Sequence, residues 1–204
     1  MAFLWENPAI TIVGNADNSV SPYLKAWIGS EGGVTVAGVI GEGTSREMTA
    51  NWTSPFADKS LGSMFASLGG LTQSFTDRTS ITTLNSRLIW EGNESHTLNL
   101  VLRLYALRDP KKEVMDAIEA LEKMAAPQLN DYSPINSDGM GKVPSRVSVN
   151  IGRCFIWPEC VLLGVQTPLD KEKNKDGYMV RADVNLQIKT LSMINQSQIS
   201  STFG

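Results

Sequence analysis

The stretch from Tyr178 to Leu191, YMVRADVNLQIKTL, constrains the fold of this chain more than any other. Apolar and polar residues alternate along it, which is typical of a β-strand with one face in a core and the other in water. The polar face is mixed in sign and is therefore unlike an ordinary ligand groove. The apolar face carries Val180, Ala182, Val184, Leu186 and Ile188, and the polar face carries Arg181, Asp183, Asn185, Gln187 and Lys189.

A second alternating stretch lies earlier in the chain, between residues 98 and 106. Its polar positions include Asn99 and Arg103. The run Ile81–Trp90 precedes it, and the residues Glu91-Gly92-Asn93-Glu94 between the two form a turn signal. This arrangement predicts an antiparallel hairpin. The apolar positions of the second strand are Leu98, Leu100, Leu102, Leu104 and Ala106.

A single clear helix is predicted over residues 109–126. Asp109 can cap its first turn, and Pro110 suits the first helical position. Glu113 places a favourable negative charge near the start, and Pro127 ends the helix. Its apolar stripe consists of Val114, Ile118, Leu121 and Ala125, with Met115 and Met124 beside it.

The segment from residue 145 to 165 predicts further short strands. Val147, Val149 and Ile151 alternate with polar residues, and Gly152-Arg153 indicates a turn or a bulge. Two more short strands, 155–157 and 161–165, flank Pro158-Glu159. The chain has two cysteines, Cys154 and Cys160, which we expect to be reduced although a hairpin could bring them together.

The domain organisation follows from these patterns. Residues 1–80 are expected to form a Gly-rich arm or insertion with short strands and a possible short helix at 55–71. Residues 81–191 form the main β domain with its helix, and residues 192–204 a flexible tail. The predicted fold class is therefore mainly β with one helix (α+β), in which two packed antiparallel sheets form a sandwich or barrel.

Composition and charge argue against several classes of function. The net charge of −3 argues against specific nucleic-acid binding. No apolar run is long enough to span a membrane, so no membrane partner is expected. His96 is the only histidine, which argues against a histidine-based metal site or triad. We predict no catalytic residue, no cofactor and no metal, and hence a protein that is not an enzyme.

The order of elements from Leu88 onward resembles the tube-fold proteins of contractile injection machines, above all the baseplate tube-initiator and adaptor proteins of contractile-tailed phages. Four segments carry the resemblance, and together they span roughly half of the chain. They are LIWEGNESHTLNLVLRLYA, RDPKKEVMDAIEALEKMAAPQ, PSRVSVNIGRCFIWPECVLLGVQTPL and DGYMVRADVNLQIKTL. Residues 1–80 have no counterpart in that pattern.

The resemblance implies a structural virion protein, assembled in the host cytoplasm, that joins tail tube to baseplate. In that family six subunits close a ring around a lumen that DNA traverses, so a homo-hexamer is expected, with tube and other baseplate proteins as partners. Ring closure would pair strand edges that are open in the monomer. The residues implied to face the lumen or a neighbouring subunit are Asn99, Arg103, Asp183, Asn185, Gln187 and Lys189.

Two other functions compete with this one. A baseplate-associated cell-wall hydrolase would need a carboxylate pair, for which Glu91 with Glu94, or Asp170 with Asp176, are the candidates. A small binding module would instead recruit its partner along an exposed edge strand.

Overall fold

The computed structural model describes residues 11–17, 19–54, 87–129 and 141–204. The chain divides into two compact units: a larger one of Met1–Glu47 with Ser95–Gly204, and a smaller one of Met48–Glu94. This division differs from the predicted boundary at residue 80, because the first strands of the chain pair with the strands of the main β domain. The predicted helix at 55–71 lies outside the described residues.

Ten strands are present among the described residues. Eight lie in the larger unit and two, β5 and β6, form a separate sheet in the smaller unit. In chain order they are β1 (Thr11–Gly14), β2 (Lys25–Ser30), β3 (Val34–Ile40), β4 (Ser45–Glu47), β5 (Ala50–Thr53), β6 (Ile89–Asn93), β7 (Thr97–Tyr105), β8 (Val147–Ile151), β9 (Phe155–Gln166) and β10 (Arg181–Thr190).

Six of these strands close into an antiparallel barrel in the order β3-β2-β8-β9-β10-β7. The barrel closes where β3 meets β7, with Val39 opposite Arg103 and Ile40 opposite Leu102. β1 adds to β3 in parallel, and β4 adds to β7 antiparallel. The predicted fold class, mainly β in a sandwich or barrel with a helix, is confirmed.

Glycine explains why β3 can form this closure. A Cβ on Gly38 would lie 2.6 Å from Leu102 Cγ, and one on Gly41 would lie 2.7 Å from Val101 Cγ1. The Gly41 amide donates to the Val101 carbonyl over 2.7 Å. The Gly-rich sequence that suggested a loose arm therefore allows close contact between two barrel strands.

The barrel core comes from the alternation that the sequence displays. β7 and β10 pair along their whole length, with Leu102 opposite Val184 and Leu100 opposite Leu186. Directly opposed residues share a face of the sheet, so the apolar residues of both strands converge. Those buried on these two strands are Leu98, Leu100, Leu102, Leu104, Ala182, Val184, Leu186 and Ile188.

The predicted helix follows β7. It opens with a π-helical turn, Lys111–Met115, and continues as α1 (Asp116–Ala125). Asp109 Oδ1 accepts from the Lys111 amide over 3.0 Å, which confirms the predicted cap. Glu113 accepts from the amides of Leu107 and Arg108. The π-helical turn was not predicted, because a single widened turn leaves no mark on the apolar spacing.

The helix lies across the end of the barrel at which β7 ends and β3 begins. It contacts β1, β3 and β9, and β3 and β9 are not neighbours in the barrel order. Its apolar side joins the same core as the strands. The buried residues are Val114, Ala117, Ile118, Leu121 and Met124.

Two strand predictions need correction. The predicted hairpin between residues 81 and 106 does not form: β6 pairs with β5, whereas β7 pairs with β10. Gly92 and Asn93, taken as turn residues, lie within β6. Residues 81–86 of the predicted first strand are outside the described residues. A turn signal acts only between neighbouring residues, so it does not prevent a strand from pairing with one that is distant in the sequence and has a more complementary apolar face.

The segments around Pro158 also form one strand rather than two. β9 runs unbroken from Phe155 to Gln166, and its pairing with β8 shifts register there, with Trp157 opposite Val149 and Cys160 opposite Val147. The bulge accommodates Pro158, which has no amide to donate. The predicted turn before β9 is confirmed, with Gly152 and Arg153 at φ 57° and 59°.

Residues 192–204, predicted to be a flexible tail, are ordered. They form α2 (Gln196–Ile199), with a capping box between Asn195 and Gln198, and then a 3₁₀ turn, Ser200–Thr202. The Gly204 amide donates to the Cys154 carbonyl over 2.9 Å. The polar composition suggested disorder, but the segment is held by contacts to the distant β8–β9 turn.

Candidate functional site: a polar barrel face and an aromatic end

The six residues expected to face a lumen or a neighbour lie together on the outside of the barrel. Arg103 stands opposite Asp183, and Asn99 stands opposite Gln187. All six project from β7 and β10, on the side opposite the buried apolar residues. We call this surface the polar face; it consists of Asn99, Arg103, Asp183, Asn185, Gln187 and Lys189.

One carboxylate of the polar face, that of Asp183, lies close to three basic side chains. Arg103 Nε donates to Asp183 Oδ1 over 2.9 Å. Asp183 Oδ2 lies 3.6 Å from Arg181 Nη2 and 3.9 Å from Lys171 Nζ. These pairs are partly exposed, so each contributes only about 0–1 kcal/mol to stability. Lys171 was not among the predicted site residues, because it reaches Asp183 from a loop. Arg181 lies on the polar side of β10 but was not one of the six.

The polar face continues onto β9, which the sequence did not reveal. Asn185 stands opposite Gln166, and Lys189 stands opposite Val161. Between them the register shifts, and Leu163 is 55% exposed. The face is therefore a broad, shallow surface that is mostly polar but also carries apolar side chains, among them Val101 opposite Asn185. It offers complementarity to an extended partner or a channel rather than an enclosed ligand site.

A different cluster lies at the barrel end at which β7 and β9 begin. The His96 and Trp157 rings meet edge to face with centroids 6.1 Å apart, and both residues are buried. Phe155 and Phe203 meet similarly at 5.1 Å. Arg46 of β4 lies over Phe155, Trp157 and Phe203. We call these five residues the aromatic end.

His96 is held there as a neutral side chain. Its backbone amide donates to Thr190 Oγ1 over 3.0 Å. Burial lowers the pKa of the imidazole, and the positive charge of Arg46 lowers it further. Sequence reasoning used His96 only to argue against a histidine-based site. Nothing local to residue 96 indicated its aromatic neighbour Trp157, which comes from β9.

The cysteines are both free thiols. Burial raises the pKa of the Cys160 thiol to about 12, and the nearby Glu159 carboxylate acts in the same direction. Cys160 therefore carries almost no thiolate at neutral pH and is a poor nucleophile. Cys154 is exposed, and its thiol lies 3.3 Å from the Gly152 carbonyl oxygen.

In residues 11–17, 19–54, 87–129 and 141–204, no group of three or more His, Cys, Asp or Glu side chains is placed to hold a metal ion. None of the helices described is long and apolar enough to cross a membrane. Of the carboxylates considered for hydrolysis, Glu91 lies in β6, and Asp176 accepts from Asn174 in a polar turn.

The smaller unit exposes aromatic residues. Trp52 of β5 stands opposite Trp90 of β6, and the two side chains are 56% and 52% exposed. The Trp90 indole donates to Asn93 Oδ1 over 2.7 Å, which fixes its orientation. Exposed tryptophans on a short sheet are a feature of interaction surfaces.

The fold and these surfaces define a mainly β barrel protein with a polar outer face. Comparison with known proteins adds no family, because neither the protein-family models nor the curated proteins searched gave a match to this chain.

Proposed function

We propose that this chain is a structural virion protein that forms a ring, a homo-hexamer, in the tail of a contractile-tailed phage. The ring connects the tail tube to the baseplate around the DNA channel. The protein acts by assembly and not by catalysis. The observation that carries the proposal is the polar face, where β7 and β10 pair over nine consecutive residue pairs and present mostly polar side chains outward.

The electrostatics of the polar face suit a channel wall. A wall that DNA traverses must be wetted but must not hold phosphates firmly. Arg103, which could attract phosphate, donates to Asp183 instead. The net charge of −3 adds a weak general repulsion. These features support a lining or contact role and argue against a tight nucleic-acid site.

The strand edges available for ring contacts differ from the initial expectation. Because the barrel closes on itself, its six strands are already paired on both sides. In the described part of the larger unit, β1 and β4 terminate the sheet. Ile12 of β1 is 44% exposed. We therefore place strand-edge pairing between subunits at β1 and β4 and keep the polar face for the lumen or a lateral contact.

Electron microscopy and native mass spectrometry test the proposal. The chain is purified alone and also co-produced with tube and baseplate proteins of a contractile tail. We expect six-membered rings, or incorporation into tail particles. A chain that stays monomeric under all these conditions and joins no tail structure contradicts the proposed function.

A matched pair of variants tests the polar face itself. Gln187→Arg adds a charge in the middle of that face, whereas Gln128→Arg makes the same change at an exposed position just after α1. We expect Gln187→Arg to reduce ring formation or DNA passage and Gln128→Arg to leave both unchanged. If the two variants form rings and pass DNA equally well, the polar face does not have the proposed role, although the proposal of a ring would still stand.

A further inference from the structure

Arg46 lies within an aromatic environment that other basic residues of the described chain do not share. Its guanidinium carbon is 5.5 Å from the ring centroid of Phe155, 5.6 Å from that of Trp157 and 5.0 Å from that of Phe203. Such contacts attract the cation to the rings and restrict its orientation. Arg46 is also half-buried on a strand that pairs with β7, so its backbone is fixed.

The guanidinium nevertheless has no acceptor among the residues that the structure describes. Within the described ranges, the Arg46 side chain forms neither an ion pair nor a hydrogen bond, unlike those of Arg103 and Arg181 on the barrel exterior. A guanidinium carries five N–H donors in a rigid planar fork that matches a carboxylate. Ring contacts use the charge and the flat surface of this group, and its N–H donors remain available to an acceptor from outside the described chain.

Two buried nitrogen atoms beside Arg46 also lack partners. In the part of the chain that the structure describes, His96 Nδ1 and Trp157 Nε1 have no hydrogen-bond partner, although both residues are only 2% exposed. Buried polar atoms are nearly always hydrogen-bonded, and leaving one unpaired costs about 1–3 kcal/mol. Two buried ring nitrogens without partners among the described residues, on His96 and Trp157, therefore lie at the same end of the barrel as the Arg46 guanidinium.

We propose that the aromatic end is a carboxylate-binding site in which the Arg46 guanidinium pairs with one carboxylate group. The ligand is a small free carboxylate or an acidic side chain of another protein. The site is independent of the proposed ring function. The Trp157 indole supplies a second donor in the same region, and the rings of Phe155 and Phe203 limit access of water to the ion pair, which strengthens it.

Charge balance favours a carboxylate over a phosphate dianion. Arg46 is the one cation of the aromatic end, since burial and the field of Arg46 keep His96 neutral by lowering its pKa. A singly charged anion would neutralise the site, whereas a doubly charged one would leave an excess negative charge in a half-buried position.

Nuclear magnetic resonance of the full chain tests this site, because His96 is the only histidine and its imidazole signals need no assignment. The chain is titrated with sodium acetate, and a parallel titration uses sodium chloride at matched ionic strength. We expect the His96 and Trp157 side-chain signals to move and saturate with acetate but not with chloride. A response that is the same for both salts overturns the proposal.

Variants of Arg46 separate charge from geometry. Arg46→Met should weaken acetate binding by about tenfold or more, the loss expected for a charge-assisted pair. Arg46→Lys keeps the charge without the planar fork, so its affinity for acetate should lie between those of the wild-type protein and Arg46→Met. A native-like spectrum of this variant would show that the fold survives. Arg108→Met, at an exposed arginine outside the aromatic end, is the matched control. Undiminished binding by both Arg46 variants contradicts the proposal.

The source of the carboxylate is decided with two further probes. One is N-acetylglutamate amide, and the other is a short peptide with a central glutamate flanked by neutral residues. Saturation by the peptide at a concentration at least about tenfold lower indicates an acidic side chain of a protein partner. Similar saturation by acetate and both probes indicates a small free carboxylate. If none of the three saturates, the site is not a carboxylate site.

Discussion

The two ends of the barrel are closed by different chemistry. At the end where β7 finishes, the helix inserts aliphatic residues such as Val114 and Leu121, which are fully buried and contain no polar side-chain atom. At the opposite end, Arg46 lies over the buried Trp157 ring, which meets His96 edge to face, and over the ring of Phe203. The helix side of the first closure is aliphatic, whereas the second contains two ring nitrogen atoms, on His96 and Trp157, without partners among the described residues.

This difference suggests that the helix end serves mainly the stability of the fold and the aromatic end mainly the binding of a ligand. An aliphatic closure gains its full free energy from burial in the free protein and requires no ligand. The aromatic end retains unsatisfied hydrogen-bonding capacity, and natural proteins keep such groups mostly where a ligand or a functional change makes use of them. We therefore expect substitutions at the helix end to act on folding and those at the aromatic end to act on binding more than on folding.

The largest effect should come from the helix end. Leu121→Ala removes a fully buried side chain from the core and should lower the free energy of unfolding by about 2–5 kcal/mol. Urea unfolding followed by circular dichroism measures this. Glu122→Ala, at the next and exposed position, should change stability by less than about 0.5 kcal/mol. Equal costs for the two variants would show that the helix does not close the core.

A smaller effect is expected for Phe203→Ala. The side chain is half exposed, and the change removes its ring contacts with Phe155 and Arg46, worth about 1 kcal/mol together. The Gly204 amide, which donates to the Cys154 carbonyl, should exchange its hydrogen faster. Ser197→Ala, at an exposed position of α2, is the control. Slow exchange that persists in Phe203→Ala would mean that Phe203 does not hold this segment.

The smallest effect should be the pH dependence of the aromatic end. The pKa of His96 is lowered in the folded protein, so the unfolded chain binds the proton more readily. Stability should therefore fall as the pH drops below the ordinary histidine pKa of about 6.5, and level off below the folded-state pKa. Urea unfolding from about pH 7.5 to about pH 5.5 measures it.

His96→Gln is the comparison for this pH series. It contains no histidine to titrate in that range, so its stability should change less over the same interval than that of the wild-type protein. A steeper loss in the variant would contradict the assignment of the pH dependence to His96. Leu121→Ala, in contrast, should preserve the wild-type slope, because it removes an aliphatic side chain at the other end of the barrel and leaves His96 in place.

Much of the local structure could be predicted from short-range patterns. The faces of β7 and β10 follow from alternation, and the start of the helix follows from Asp109, Pro110 and Glu113, because strand pleat and helix caps depend on neighbours within a few residues. Alternation placed the six polar-face residues on the polar sides of their two strands, and the structure showed that those strands are neighbours. The hairpin prediction was wrong because a turn signal such as Glu91–Glu94 does not specify which strand will pair.

The sequence by itself determined which side of β7, of β10 and of the long helix is apolar. Only the tertiary structure decided which strands meet, that β3 closes the barrel on β7 beside Gly38, and that residues 192–204 are ordered. It alone brought Arg46, His96, Trp157 and Phe203 to one end, although about 160 positions separate the first from the last. Side-chain periodicity depends on local backbone geometry, whereas strand pairing depends on non-local packing and hydrogen bonding, which no short pattern encodes.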